Sequence, residues 1–231
     1  MHLNPLYQLL QKGASNFHNV VPFAPNTDKL LQLDFTSANT ALTPEILGDT
    51  TVFTEYVQNL LDKKYTYGIG GYDEHRTIYA RSHQFDGVDE PRRLHLGVDI
   101  WGLVSTPVFA PLGGHVHSFA FNDHYGDYGA TIILHHEVDG VSFNTLYGHL
   151  SVRDLSGLQE GQYISSGTEF AHFGNTPENG HWPPHLHFQV IQEMHEKKGD
   201  YPGVCKYSER EKYLENCPDP DTILQMMQYA N

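Results

Sequence analysis

Cysteine is scarce in this sequence. Cys205 and Cys217 are the two in 231 residues, too few for a disulfide framework and without C-x-x-C spacing, so they read as ordinary thiols. Basic residues are scarce as well, with 14 Lys+Arg against 28 Asp+Glu and a formal net charge of −14. Holding nucleic acid by phosphate neutralisation requires a basic patch or stripe, so no nucleic-acid partner is expected. Long apolar runs are missing too: no stretch approaches the roughly 18 uninterrupted apolar residues of a transmembrane helix. The opening MHLNPLYQLLQKGASN has neither a basic n-region nor an apolar h-region. These absences set the expectation of a cytoplasmic protein with no membrane insertion.

What the chain does have is histidine. The 16 His outnumber all 14 Lys+Arg, and imidazole is both the commonest metal ligand and a group that titrates near neutrality. A hydrophobic share of 39% with 12% aromatics excludes a disordered chain, and the length suits one substantial domain with appended segments.

Residues 1–75 read as a helical and irregular extension. Its clearest element is a helix in which Phe53, Tyr56, Val57, Leu60 and Leu61 form one apolar stripe at i, i+3, i+4, i+7 and i+8. Residues 76–200 read as the main domain. From about 92 to 190 the chain alternates short Val, Ile, Phe, Tyr and Thr runs with Gly, Pro and Asn/Asp, the texture of antiparallel β structure. Asp139-Gly140, between ATIILHHEV and VSFNTLYGH, predicts a two-residue hairpin turn. Residues 201–231 read as a helical tail, with Ser208 and Glu211 at capping-box spacing and Asp219-Pro220 as a helix start.

Three segments concentrate the chemistry: RLHLGVDIWG, TLYGHLS and PPHLHFQV. In an extended strand, residues two apart share a face, so His185 and His187 project together while Leu186 and Phe188 face a core. His95 and Asp99 stand four apart around Gly97, where a bent or extended backbone brings both to one point. Two His and one carboxylate, leaving a position for water, suit catalytic zinc better than structural zinc. The same three groups also form the facial triad of a non-haem Fe(II) oxygenase. A second H-x-H at His115 and His117 shows how little that spacing says alone. The His136-Glu137 and His195-Glu196 fragments have Gly140 and Gly199 where a helical zincin needs its second His.

In order and approximate spacing, the H-x-x-x-D at His95 to Asp99, the YGHL at Tyr147 to Leu150 and the HLHF at His185 to Phe188 resemble the lysostaphin-like, LytM-type zinc metallopeptidases of metallopeptidase family 23. The resemblance covers about residues 92–192. It implies a mainly β fold, an antiparallel β sandwich-like core of the duplicated hybrid motif type with flanking helices at both termini. It further implies His95, Asp99 and His187 as ligands of one zinc per chain, and His149 and His185 as the catalytic pair, in either order of base and stabiliser. His115 and His117 fall in the family's hairpin and are not expected to be ligands.

Tyr147, two residues before His149, is expected to share its face and bind substrate, with Trp182 as a rim. The implied activity is an endopeptidase acting on peptide bonds, glycine-containing or of peptidoglycan type, with a peptide or peptidoglycan fragment as partner. Two departures bear on substrate: Gln189 stands where many members have Glu, and NTPENGHW is bulkier than the Gly-rich version of secreted members. A hydrolase of a small amide or peptide metabolite is therefore a second reading, and a non-catalytic binding module on the same fold a third. The oligomeric state is open. If His149 or His185 must stay neutral, activity is expected to fall near pH 6 to 7, where unperturbed imidazole charges.

Overall fold

A computed structural model describes residues 4–13 and 17–231 of the chain. In chain order the elements are α1 (Pro5–Gly13), β1 (Leu30–Gln32), α2 (Pro44–Gly48), α3 (Thr50–Leu61), β2 (Tyr67–Gly70), β3 (Leu94–His95), β4 (Val98–Trp101), β5 (Pro107–Phe109) and β6 (Gly114–Asn122). They continue with β7 (Gly129–Val138), β8 (Val141–Leu150), β9 (Tyr163–Ile164), β10 (Glu169–His172), β11 (His185–Ile191), β12 (Val204–Cys205), α4 (Arg210–Asn216) and α5 (Asp221–Leu224).

Asp139 and Gly140 take φ of 51° and 75°, the pair of left-handed positions that a tight hairpin demands. They join β7 to β8, and these two long strands anchor an eight-stranded sheet in the order β1-β2-β4-β11-β8-β7-β6-β9. Only the β1–β2 edge pair is parallel; the other pairs in this sheet are antiparallel. The expected mainly β, antiparallel architecture is therefore present, with one large sheet at its centre.

Both faces of the sheet are covered. On one, Val98, Ile100, Leu134, Leu186, Phe188 and Val190 pack against Leu6 and Leu10 of α1 and Ile223 and Leu224 of α5. The small β5–β10 sheet lies over the same core through Val108 and Ala171, which gives the sandwich-like layering. Residues from α3 and its surroundings, Phe53, Val57 and Phe35, form a second cluster with Trp101 and Trp182. Cys205 and Cys217 are free, buried thiols in a third cluster with Leu146 and Ile191.

Two expectations need correction. The extension at 1–75 is more than helical and irregular, because β1 and β2 complete the sheet edge beside β4. Their runs, LLQ and YGIG, are too short and glycine-rich to show a period of two. Ser208 caps nothing: it lies in a 3-10 turn, Tyr207–Glu209, and α4 starts after Glu209 with no side-chain cap. Asp219 does accept a hydrogen bond from the Asp221 N–H at the start of α5, at 2.9 Å. No helix among the described residues is long and apolar enough to cross a membrane.

Candidate metal and catalytic site

Register between β4 and β11 builds the site. His187 lies directly opposite Asp99, and His185 opposite Trp101. Side chains opposite one another on the same face of an antiparallel pair touch, so Asp99 meets His187 and the His185 imidazole stacks on Trp101, with centroids 3.8 Å apart at 13°. The alternation expected of H-L-H-F holds: Leu186 and Phe188 enter the core and both histidines face away from it. His95 arrives from β3 just before the bend. Glycine at 97 is required because a Cβ there would stand 2.5 Å from the His187 ring.

His95 Nε2, Asp99 Oδ1 and His187 Nδ1 converge, separated by 2.9 Å (His95 to His187), 3.0 Å (His187 to Asp99) and 3.2 Å (His95 to Asp99). A tetrahedral ion at 2.0–2.1 Å from N and O ligands sets them about 3.3 Å apart, so this donor set fits zinc closely. The opposite ring nitrogens are already committed. His95 Nδ1–H donates to Gly71 O at 2.9 Å, and His187 Nε2–H to Gln189 Oε1 at 3.0 Å. These bonds fix the tautomers that leave the facing nitrogens as acceptors.

Gln189 is itself held, its Nε2 donating to Pro202 O at 3.2 Å and Cys217 Sγ at 3.3 Å. A neutral amide here adds no second buried carboxylate beside Asp99. Asp99 is held well below the usual carboxylate range, against the upward push of its burial, by His95 and then Arg76. Arg76 is wholly buried; its Nη1–H donates to Asp99 Oδ2 at 2.5 Å and its Nε–H to Glu74 at 2.6 Å. One carboxylate oxygen thus faces the histidines while the other is occupied. Burial, reinforced by Arg76, pushes His95 down to about 4.

Beside this cluster His149 and His185 lie ring to ring, with centroids 4.1 Å apart. Each donates Nδ1–H to a backbone carbonyl, Asn179 O at 2.8 Å and Pro183 O at 2.7 Å, so each Nε2 is an acceptor. Burial pushes His185 down to about 4, and burial together with His185 pushes His149 well below its ordinary value. Both rings are therefore neutral at pH 7 and able to take a proton. Burial thus places protonation of both rings below the pH 6 to 7 of an unperturbed imidazole.

Tyr147 is also corrected: it does not line the site. It is fully buried in the core face against Phe170 and Phe188, opposite Phe188 in the β8–β11 register. Strand alternation would have put His149 on that same face. Instead His149 has φ of 63°, and this left-handed turn carries its ring to the other side. Trp182 does border the site, edge-on to His185 at 6.3 Å. His115 and His117 lie on β6, outside the three-residue cluster. Arg76, Trp101 and Asn179 were not foreseen. Trp101 and Asn179 fall within the quoted RLHLGVDIWG and NTPENGHW segments and Arg76 outside them, but the contacts of all three come from the tertiary structure.

A cavity of about 190 Å³ opens over the cluster, bordered by Tyr79, Trp101, Tyr128, His149, Trp182 and His185 among others.

Residues 93–200 match the family model of peptidase family M23. The matched segment, just under half of the chain, carries the three motifs that resemble the lysostaphin-like metallopeptidases. No curated protein matches the chain. Among solved structures it is similar to a zinc containing peptidase from Vibrio cholerae, with 24% identity, 42% of this chain and 27% of that one covered, and a TM-score of 0.31. It is similar also to the catalytic domain of lysostaphin from Staphylococcus simulans, with 23% identity, 69% and 97% covered, and a TM-score of 0.42. A third is Helicobacter pylori Csd3, with 24% identity, 57% and 34% covered, and a TM-score of 0.33. The chain thus spans about a third or less of the Vibrio and Helicobacter chains and nearly all of the lysostaphin catalytic domain.

Proposed function

We propose that the protein is a zinc-dependent hydrolase of peptide or amide bonds, with His95, Asp99 and His187 holding one zinc and His149 and His185 acting on the substrate. The observation that carries this reading is the convergence of His95 Nε2, Asp99 Oδ1 and His187 Nδ1, each pre-oriented by a second hydrogen bond or ion pair, beside two further neutral imidazoles. When bound, zinc would lower the pKa of a water towards 7 and polarise the scissile carbonyl.

The chain's own groups supply the rest. One free Nε2 of the His149–His185 pair accepts the proton of the attacking water and returns it to the leaving amine. The other stabilises charge developing on the carbonyl oxygen once its own Nε2 has taken up a proton. Trp101 beneath His185 and the Asn179 and Pro183 carbonyls prevent either ring from turning away. With all five positions intact, catalysis is favoured over a purely binding role. The test is turnover of glycine-containing peptides, muropeptides and small amides by wild type beside His185→Ala. Metal retained with turnover lost is expected, and unchanged turnover removes His185 from the mechanism.

A further inference from the structure

The walls of the cavity come from parts of the chain that meet one another around it. Residues 78–92 form a strap of two 3-10 turns, Ile78–Arg81 and His83–Phe85, followed by an irregular stretch. At one end the strap is riveted to the loop before β7. Ser82 Oγ donates to Tyr125 O at 2.9 Å, and Arg81 donates to the Tyr125 hydroxyl from Nε at 3.1 Å and Nη2 at 2.7 Å.

Arg81 also lies over the rings of Trp182 at 4.8 Å and Phe53 at 5.4 Å and donates to Thr50 Oγ1 at 2.7 Å. It therefore binds the strap to α3 and to the rim of the site at once. The other end is fixed to the segment around β12, where Arg93 N–H donates to Cys205 O at 3.1 Å and Ser208 N–H to Glu90 Oε1 at 3.2 Å.

Between these attachments, Tyr79 and Phe85 of the strap line the cavity together with Trp182 and Tyr128, Tyr79 meeting Trp182 edge-on at 6.0 Å. His149 and His185 are left 6% and 2% exposed at its floor. An interior peptide bond reaches such a floor only if chain can leave the site in both directions. The volume of about 190 Å³ is below the roughly 300–1,000 Å³ of pockets that hold drug-sized ligands. The mouth carries charges of both signs, Asp127 and Asp200 with Arg92 and Lys197, which match the free ammonium and carboxylate ends of a short peptide.

Resting on the hydrolase reading above, we infer that the strap at 78–92 makes the site a blind pit that takes short peptides or chain ends and excludes the interior of a polymer. The experiment compares triglycine, pentaglycine and a pentaglycine carrying a bulky chromophore at each end, using zinc-loaded full-length protein and the Arg81→Ala variant, with products identified by mass spectrometry. Wild type is expected to process the free peptides from their ends and to show at least tenfold lower kcat/KM on the doubly blocked one. Arg81→Ala is expected to narrow that gap, because it removes the bonds to the Tyr125 hydroxyl and Thr50 and leaves the strap tied to Tyr125 through Ser82.

Equal cleavage of blocked and free peptides by wild type, or a gap unchanged in Arg81→Ala, overturns the inference. Absence of any turnover refutes the hydrolase reading instead. Binding is then read from the ring resonances of His149 and His185, where shifts with triglycine but not with the blocked peptide sustain the pit. Equal shifts, or shifts with neither, overturn it.

Discussion

His185 cannot choose its orientation. The Trp101 indole lies flat against it, and its Nδ1–H donates to the Pro183 carbonyl, so removing the imidazole takes away one of the two positioned Nε2 atoms of the His149–His185 pair. His185→Ala is expected to lower kcat by about 10²- to 10⁴-fold, the usual worth of a positioned general acid or base, with zinc content unchanged. Arg76 acts one step further out, through Asp99. Arg76→Met strips the partner from Asp99 Oδ2, and zinc affinity measured by chelator competition is expected to weaken by roughly 10- to 100-fold, as for other second partners of metal ligands.

At this scale the sequence showed the donors and concealed their supports. His185 and His187 were legible because strand alternation is a local rule. Tyr147 was misread because the same rule fails at His149, whose left-handed backbone is imposed by tertiary contacts, among them its N–H donating to Tyr128 O at 2.8 Å. Arg76 carries no local signal, being 23 residues from Asp99.

Among the elements, the β7–β8 hairpin shows how a short motif sets distant geometry. Gly140 has φ of 75°, and an added Cβ would meet nothing within 4 Å. Gly140→Ala is therefore a pure backbone perturbation, expected to cost about 1–2 kcal/mol in denaturant unfolding with no change in zinc content. A loss of zinc would show that the hairpin register governs the site more tightly than β4–β11 pairing implies.

The hairpin and α3 were readable, one from Asp-Gly between β-rich runs and the other from its apolar stripe, of which Phe53 and Val57 are buried. The strap was not. Its hold depends on Arg81 meeting Tyr125, 44 residues away, and its own composition reads as loop. The β1 and β2 edge strands escaped for a related reason, since each is fixed by its neighbours in the sheet more than by its three or four residues.

For the molecule as a whole, the buried histidines tie stability and activity to pH. Burial pushes His95, His136 and His185 from 6.5 down to about 4. The unfolded chain therefore takes up protons from about pH 6.5 downward while the folded chain resists until near 4. Stability falls as pH falls through that window, with a slope on the order of 1.4 kcal/mol per pH unit for each such histidine. His136 lies outside the metal cluster, its Nδ1–H donating to Gly113 O at 3.0 Å, so His136→Gln is expected to flatten the slope without touching zinc. The same displacement predicts that kcat/KM holds level from pH 7 down to about 5; an acid limb near 6.5 would mean that the catalytic imidazoles are solvated.

The central claim is that His95, Asp99 and His187 hold a single zinc. Elemental analysis of protein purified without added metal, wild type beside Asp99→Ala, tests it most directly. The account predicts about one zinc per chain in wild type and almost none in the variant. Iron in place of zinc, or zinc retained at full stoichiometry in Asp99→Ala, would contradict it.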